Sequence, residues 1–154
     1  MAAAQEYEIT GLTPSDFDEW SALFHAYIDF YKSVLPDDQY KKTFERILET
    51  REGLDAVVMR ETEGDKKMVG LAHFFPQQSP WSEKKFLFLN DLFVDPSVRG
   101  KGLGRRLIEA VGDKGRSGGY SRVQWVTAHD NFTAQRLYDK VAESIFKEYR
   151  MKLD

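Results

Sequence analysis

The chain has 154 residues, 42% of them hydrophobic and 14% aromatic, with a formal net charge of −3. That length and apolar share suit one globular domain spanning 1–154, and the slightly acidic balance excludes the strong basic excess usual in nucleic-acid binders. The absence of cysteine excludes disulfide frameworks, thiolate nucleophiles and zinc ribbons.

The opening "MAAAQEYEIT" lacks a basic region followed by an apolar one, so it does not read as a secretory leader. No apolar run approaches the roughly 20 residues of a membrane helix, so the expectation is a soluble cytoplasmic protein with no membrane partner. "YEIT" predicts a short strand. "TPSDFDEWSALFHAYIDFYK" predicts a helix with Thr13 as N-cap, Pro14 in its first turn and Asp16 close behind. Phe17, Trp20, Phe24, Tyr27 or Ile28, and Tyr31 recur there at helical spacing. "PDDQYKKTFERILET" predicts a second helix, lined on one side by Tyr40, Phe44 and Ile47.

"DAVVMRE" and "MVGLAHFF" predict a hairpin around a loop holding Gly64. "FLFLNDLFV" is almost continuously apolar, as a central strand covered on both faces should be. Asp95-Pro96 ends it. Leu103, Leu107, Ala110 and Val111 then mark a helix closed by "GRSGG". "SRVQWVT" predicts a strand, "NFTAQRLYDKVAE" a helix and "SIFKEYRMKL" a last strand. This order describes a mixed α/β sheet covered by helices.

The segment "DPSVRGKGLGRRLIEAV" joins the central strand to the third helix. Gly100, Gly102 and Gly104 carry no Cβ and let a ligand approach the main chain closely. The first N–H groups of the helix have no partner inside it and carry the positive end of its dipole. Together with Arg99 and Lys101 they make an anion site suited to phosphate. The spacing fits neither a P-loop nor a dinucleotide-binding fingerprint.

Arg99-x-x-Gly102-x-Gly104 resembles the R/Q-x-x-G-x-G/A motif of the GCN5-related N-acetyltransferase (GNAT) family. "NFTAQRLYDKV" is similar to that family's second cofactor motif, N-x-x-A-x-x-L-Y-x-K, and "FKEYRMKL" to its last strand. The likeness runs over about residues 68–153. The region "GLAHFFPQQSPWSEKKFLFLNDLFV" is similar to the spermidine/spermine and thialysine acetyltransferases. "WVTAHDNFTAQRLYDKVAE" is similar to the yeast-type histone, polyamine and D-amino-acid acetyltransferases.

The resemblance implies a mixed sheet of about six or seven strands, helices on both faces and a splayed central strand. It implies acetyl-coenzyme A as cofactor, a small-molecule primary amine as acceptor and a homodimer. A lysine acetyltransferase acting on protein or histone-like peptides, and a non-catalytic acyl-coenzyme A sensor, remain as alternatives. It gives the coenzyme Leu92, Phe93, Val94, Arg99, Gly100, Lys101, Gly102, Leu103, Gly104, Arg105, Asn131, Ala134, Tyr138 and Lys140. Arg105 and Arg106 either reach its phosphates or face water, and Asn131 either contacts it or caps its helix.

By the same resemblance Tyr138 is the acid for the leaving thiolate, and its phenol, with a reference pKa of roughly 10, suits that role. The base stays open. The polyamine enzymes carry a glutamate where this chain has Asn90, and an amide cannot be a general base. Asp91 acting through water, another residue, or water alone could take the proton; Asp91 could equally hold a structural hydrogen bond. Trp81, Asn90, Tyr27 and Tyr31 are candidate acceptor-side residues, with core packing the alternative for the two tyrosines. His25, His73 and His129 fall in different elements without ligand spacing, so no metal is expected.

Overall fold

The computed structural model describes residues 6–154, so the leader reading, which rests partly on residues 1–5, lies outside the described residues. The chain divides into two compact units, Met1–Gln124 and Trp125–Asp154. The first holds a five-stranded sheet in the order β1-β2-β3-β4-β5. These strands are β1 (Tyr7–Thr10), β2 (Asp55–Glu61), β3 (Met68–Gln77), β4 (Phe86–Val94) and β5 (Val123–Gln124). β1 to β4 pair antiparallel, and β5 joins β4 in parallel.

Helix α1 (Phe17–Phe30) begins three residues later than the sequence places it. A single turn over Pro14–Asp16 precedes it, in which the Thr13 N–H donates to Asp16 Oδ2 at 2.8 Å and the Asp16 N–H returns to the Thr13 carbonyl at 3.0 Å. This reciprocal cap satisfies donors that the helix itself cannot. Arg60 of β2 ties the same end to the sheet through Asp16 and through Glu19, the latter at 2.8 Å.

Strand alternation sends neighbouring residues to opposite faces. Val58, Leu71 and Phe93 point to one face and meet Trp20, Phe24 and Tyr27 of α1 and Tyr40, Phe44 and Ile47 of α2 (Asp37–Leu48). On the other face lies α3 (Leu103–Ser117), with Leu107 and Val111 fully buried. The rings of the first layer interlock edge-on or tilted, as for Trp20 against Phe44 at 5.2 Å. Such pairs contribute about 0.5–1.5 kcal/mol beyond their area. Helices on both faces are therefore as expected.

The strand count is not. Among the described residues five strands form rather than six or seven. "SRVQWVT" pairs only over Val123–Gln124, and the expected last strand over 144–153 is not formed among the described residues. Its side chains stand in the open, Phe146 and Tyr149 each 87% exposed and Leu153 90%. A strand exists only when another lends its hydrogen-bonding edge, and none of the described strands pairs with this segment. The second unit contains α4 (Phe132–Val141), where the Asn131 side chain accepts the Ala134 N–H at 3.3 Å as N-cap.

Candidate active site

β4 is held on one edge only over much of its length. β5 pairs with Leu87 and Phe88 and then ends. On the β3 side, Leu89 faces Phe74 and Asp91 faces His73, so Asn90 is an extra residue without a partner. A bulge of this kind bends the strand and re-aims the side chains that follow. The Asp95 N–H donates to the Val69 carbonyl at 2.7 Å, so the main-chain groups of Leu92 and Val94 point to the opposite edge. The Phe93 side chain belongs to the core.

Beyond β4, Asp95 Oδ1 accepts the Ser97 N–H at 2.9 Å and sets the turn into the glycine loop. Gly100 and Gly102 have φ of 84° and 74°, and a Cβ at either would meet nothing within 4 Å. The loop thus combines a left-handed conformation open to glycine with free space beside the main chain. Gly102 is the N-cap of α3, Leu103 is buried at its first position, and Gly104 follows.

The basic residues have separate anchors. The Arg99 Nε donates to the Val94 carbonyl at 3.1 Å, and its guanidinium lies over Phe30 and Phe93 at 5.7 and 5.6 Å. The Lys101 ammonium donates to the Tyr7 hydroxyl at 3.2 Å, which holds its pKa above the ordinary value. Arg105 is half-exposed beside Glu109. Arg106 Nη2 donates to the Tyr7 carbonyl at 3.2 Å, whereas its buried Nη1 has no hydrogen-bond partner. A buried guanidinium N–H without an acceptor is costly. Arg106 sits in the first turn of α3, and its guanidinium is turned toward β1 rather than toward solvent.

On the α1 face, β3 and β4 bring together groups that are far apart in sequence. His73, only 2% exposed, places Nδ1 2.9 Å from Asp91 Oδ2. The Trp20 indole N–H donates to its Nε2 at 2.9 Å. The Asn90 amide donates to Asp91 Oδ1 at 3.1 Å, so bulge and carboxylate are coupled. Burial pushes the Tyr27 phenol far above its ordinary range, with the neighbouring Asp91 and Tyr31 adding to the effect. Tyr27 therefore stays protonated and acts as a hydrogen-bond donor here. Its ring stacks edge-on against Tyr31 at 5.1 Å and Phe93 at 5.7 Å.

Asp91, Asn90, Tyr27 and Tyr31 thus form one cluster. Trp81 stands apart in a loop at 95% exposure. In the second unit, the Tyr138 ring packs edge-on against Trp125 at 5.5 Å, and Ala134 and Lys140 lie on the same helix. Sequence reasoning missed Trp20 and His73. The signal was the antiparallel register of β3 and β4, which sets His73 opposite Asp91.

The bulged β4, the glycine-bounded start of α3 and the Asp91 carboxylate all lie in the first compact unit of an α/β fold with helices on both faces. Residues 20–142 match the Acetyltransferase (GNAT) family, and the chain belongs to it. It is an N-acetyltransferase, and acetyl-coenzyme A is the donor of that family. The chain is 36% identical over 135 residues to the D-amino-acid N-acetyltransferase HPA3 of Saccharomyces cerevisiae, covering 87% of this chain and 83% of that protein. It is 30% identical over 87 residues to the L-ornithine N5-acetyltransferase NATA1 of Arabidopsis thaliana, covering 56% and 38%. In fold it is similar to the aminoglycoside N-acetyltransferase AAC(6')-Iy in complex with CoA, at a TM-score of 0.81 and 20% identity over 96% of this chain and 94% of that one.

Proposed function

We propose that this chain, working as a single domain over 1–154, moves an acetyl group directly from acetyl-coenzyme A to the primary amine of a small molecule. The acceptor is an amino acid, a polyamine or an analogue. The observation that carries this reading is Asp91, a carboxylate only 15% exposed and fixed beside the opened stretch of β4. Support for the acceptor class comes from the relatives named for D-amino acids and ornithine.

The coenzyme, when bound, supplies an acetyl group activated as a thioester. Gly100, Gly102 and the first N–H groups of α3 would hold its phosphates. Arg99, Lys101 and Arg105 add positive charge. The main chain of Leu92 and the Val94 N–H, on the edge away from β3, would pair with the extended arm of the coenzyme. An alkyl ammonium starts near a pKa of roughly 10.4 and attacks only after losing a proton. Asp91 takes that proton. Tyr138 holds the proton that the departing sulfur needs, because a phenol remains protonated at neutral pH. With no cysteine in the chain, no cysteine acyl-enzyme can form, and transfer is direct.

Thiol release from acetyl-coenzyme A, screened over D-amino acids, ornithine, polyamines, thialysine and histone-tail peptides, tests the acceptor. Turnover with free amines, far above that with peptides, is the expected result; turnover confined to peptides overturns it. We also place the protein in the cytoplasm as a homodimer. Tyr149, Met151 and Leu153 alternate along an exposed segment. Such an edge suits pairing with a second copy. Light scattering at working concentration should give twice the monomer mass.

A further inference from the structure

We propose that His73 is a positioning residue for the acetyl transfer: anchored by Trp20, it fixes the orientation of the Asp91 carboxylate toward the acceptor ammonium. This rests on the reading of Asp91 as the base. The chain of bonds runs Trp20 Nε1–H to His73 Nε2 at 2.9 Å, then His73 Nδ1–H to Asp91 Oδ2 at 2.9 Å. An indole N–H can only donate, so His73 Nε2 must be the acceptor. The ring's single proton is then on Nδ1, where it donates to Asp91. Geometry alone fixes the tautomer.

The surroundings keep it fixed. Trp20 is fully buried and His73 nearly so. Phe24 packs edge-on against the imidazole at 4.8 Å. A second proton on His73 would sit on Nε2, facing the indole N–H, which can only donate and offers it no acceptor. The proton arriving from the amine therefore stops at Asp91. In that step one N–H bond of the ammonium breaks and its electron pair stays on nitrogen as the nucleophile. An O–H bond forms on the carboxylate, and His73 keeps the proton it had. Tyr27, from the α1 side, and the uncharged Asn90 amide also meet Asp91, with Tyr31 against Tyr27. None of these is a cation, and the His73 N–H is the donor to Oδ2, beside the Asn90 amide on Oδ1.

The tautomer is read on the unaltered enzyme by nitrogen NMR of the histidine rings. One buried imidazole with a protonated Nδ1 and an unprotonated, hydrogen-bonded Nε2, unchanged across neutral pH, is expected; an Nε2–H tautomer or a doubly protonated ring overturns the proposal. Two variants then separate the bonds. His73→Asn puts an amide N–H near the position of Nδ1 and keeps the donor to Asp91. His73→Gln places its amide near Nε2, keeps an acceptor for Trp20 and loses that donor.

His73→Gln should lower kcat/KM about ten- to a hundredfold and move the acid limb of its pH profile upward, because a carboxylate that loses a donor is easier to protonate. His73→Asn should recover most of the activity and the original limb. Coenzyme affinity should be unchanged in both. If His73→Asn is as impaired as His73→Gln, or if His73→Gln keeps the original profile, the positioning role is wrong. Asp91→Asn, run in parallel, separates the two readings. An Asp91→Asn enzyme with full activity and an unaltered profile sinks the base assignment. An Asp91→Asn enzyme that loses the acid limb, beside an unaffected His73→Gln, sinks only the role of His73.

Discussion

In the function proposed above, the α1 face of β4 and its glycine-loop end serve one reaction with opposite materials. On the α1 face the working parts are side chains, Trp20, His73, Asp91 and Tyr27, each oriented by the next and packed into the aromatic layer. At the loop end they are largely main chain: the edge of Leu92 and Val94 that faces away from β3, two glycines with positive φ, and the start of α3. A site made of side chains is damaged by changing single atoms. A site made of main chain is damaged by changing backbone conformation, and tolerates changes of side chain that keep it.

The contrast can be broken most severely at Asp91. Asp91→Asn keeps size and shape but cannot accept the proton. It should lower kcat/KM by about a hundredfold or more, with coenzyme affinity by calorimetric titration unchanged. Tyr138→Phe should cost about ten- to a hundredfold in kcat. That loss should shrink for acyl donors whose leaving thiol is more acidic, a comparison made with thiol analogues at saturating acceptor.

Gly102→Val tests the other half. A Cβ there meets open space, so any effect comes from forcing a β-branched residue to a φ of 74°. About 1–2 kcal/mol of strain should appear as roughly tenfold weaker coenzyme binding or a lowered Tm. The pH profile set by Asp91 should not move. Val94→Ile should do least: with the main chain unchanged, coenzyme affinity should stay within about twofold, well under 1 kcal/mol. A large loss there would mean that side chains, not main chain, hold the coenzyme arm.

Stability should sharpen the picture at low pH. The Arg60 hydrogen bond holds the Glu19 carboxyl below its ordinary value, and the Ser97 N–H does the same for Asp95. Both groups bind protons more tightly when unfolded, so their stabilisation is present above the ordinary carboxylate range. It is lost as pH falls through that range toward the lowered folded values. Tm by calorimetry should be flat near neutrality and fall below about pH 4.5. Glu19→Gln should flatten part of that fall.

The parts legible in the sequence were those whose signal is local. Strands 55–61 and 86–94 end where turn residues stop an apolar run, and the Thr13–Asp16 cap could be read from its own four residues. The glycine loop was legible because its chemistry lies in consecutive positions. His73 and Trp20 were not, because their meaning depends on partners 18 and 53 residues away. Finding them requires the strand register, and the bulge at Asn90 offsets a simple count along the hairpin. The segment 144–153 misled in the opposite way. Its alternation is real, but a sequence shows that a strand is possible and not which edge will receive it.

Tyr7 has a consequence in time. Its hydroxyl accepts from Lys101 and its carbonyl from Arg106, across 94 and 99 residues. Joining such distant points closes a long loop, and contacts of that separation form late in folding. In a chain synthesised from its N-terminus, Tyr7 can pair with β2 well before Lys101 and Arg106 emerge. These two ties should therefore be among the later contacts to close. Hydrogen exchange should show the start of α3 opening more readily than the aromatic layer beside α1.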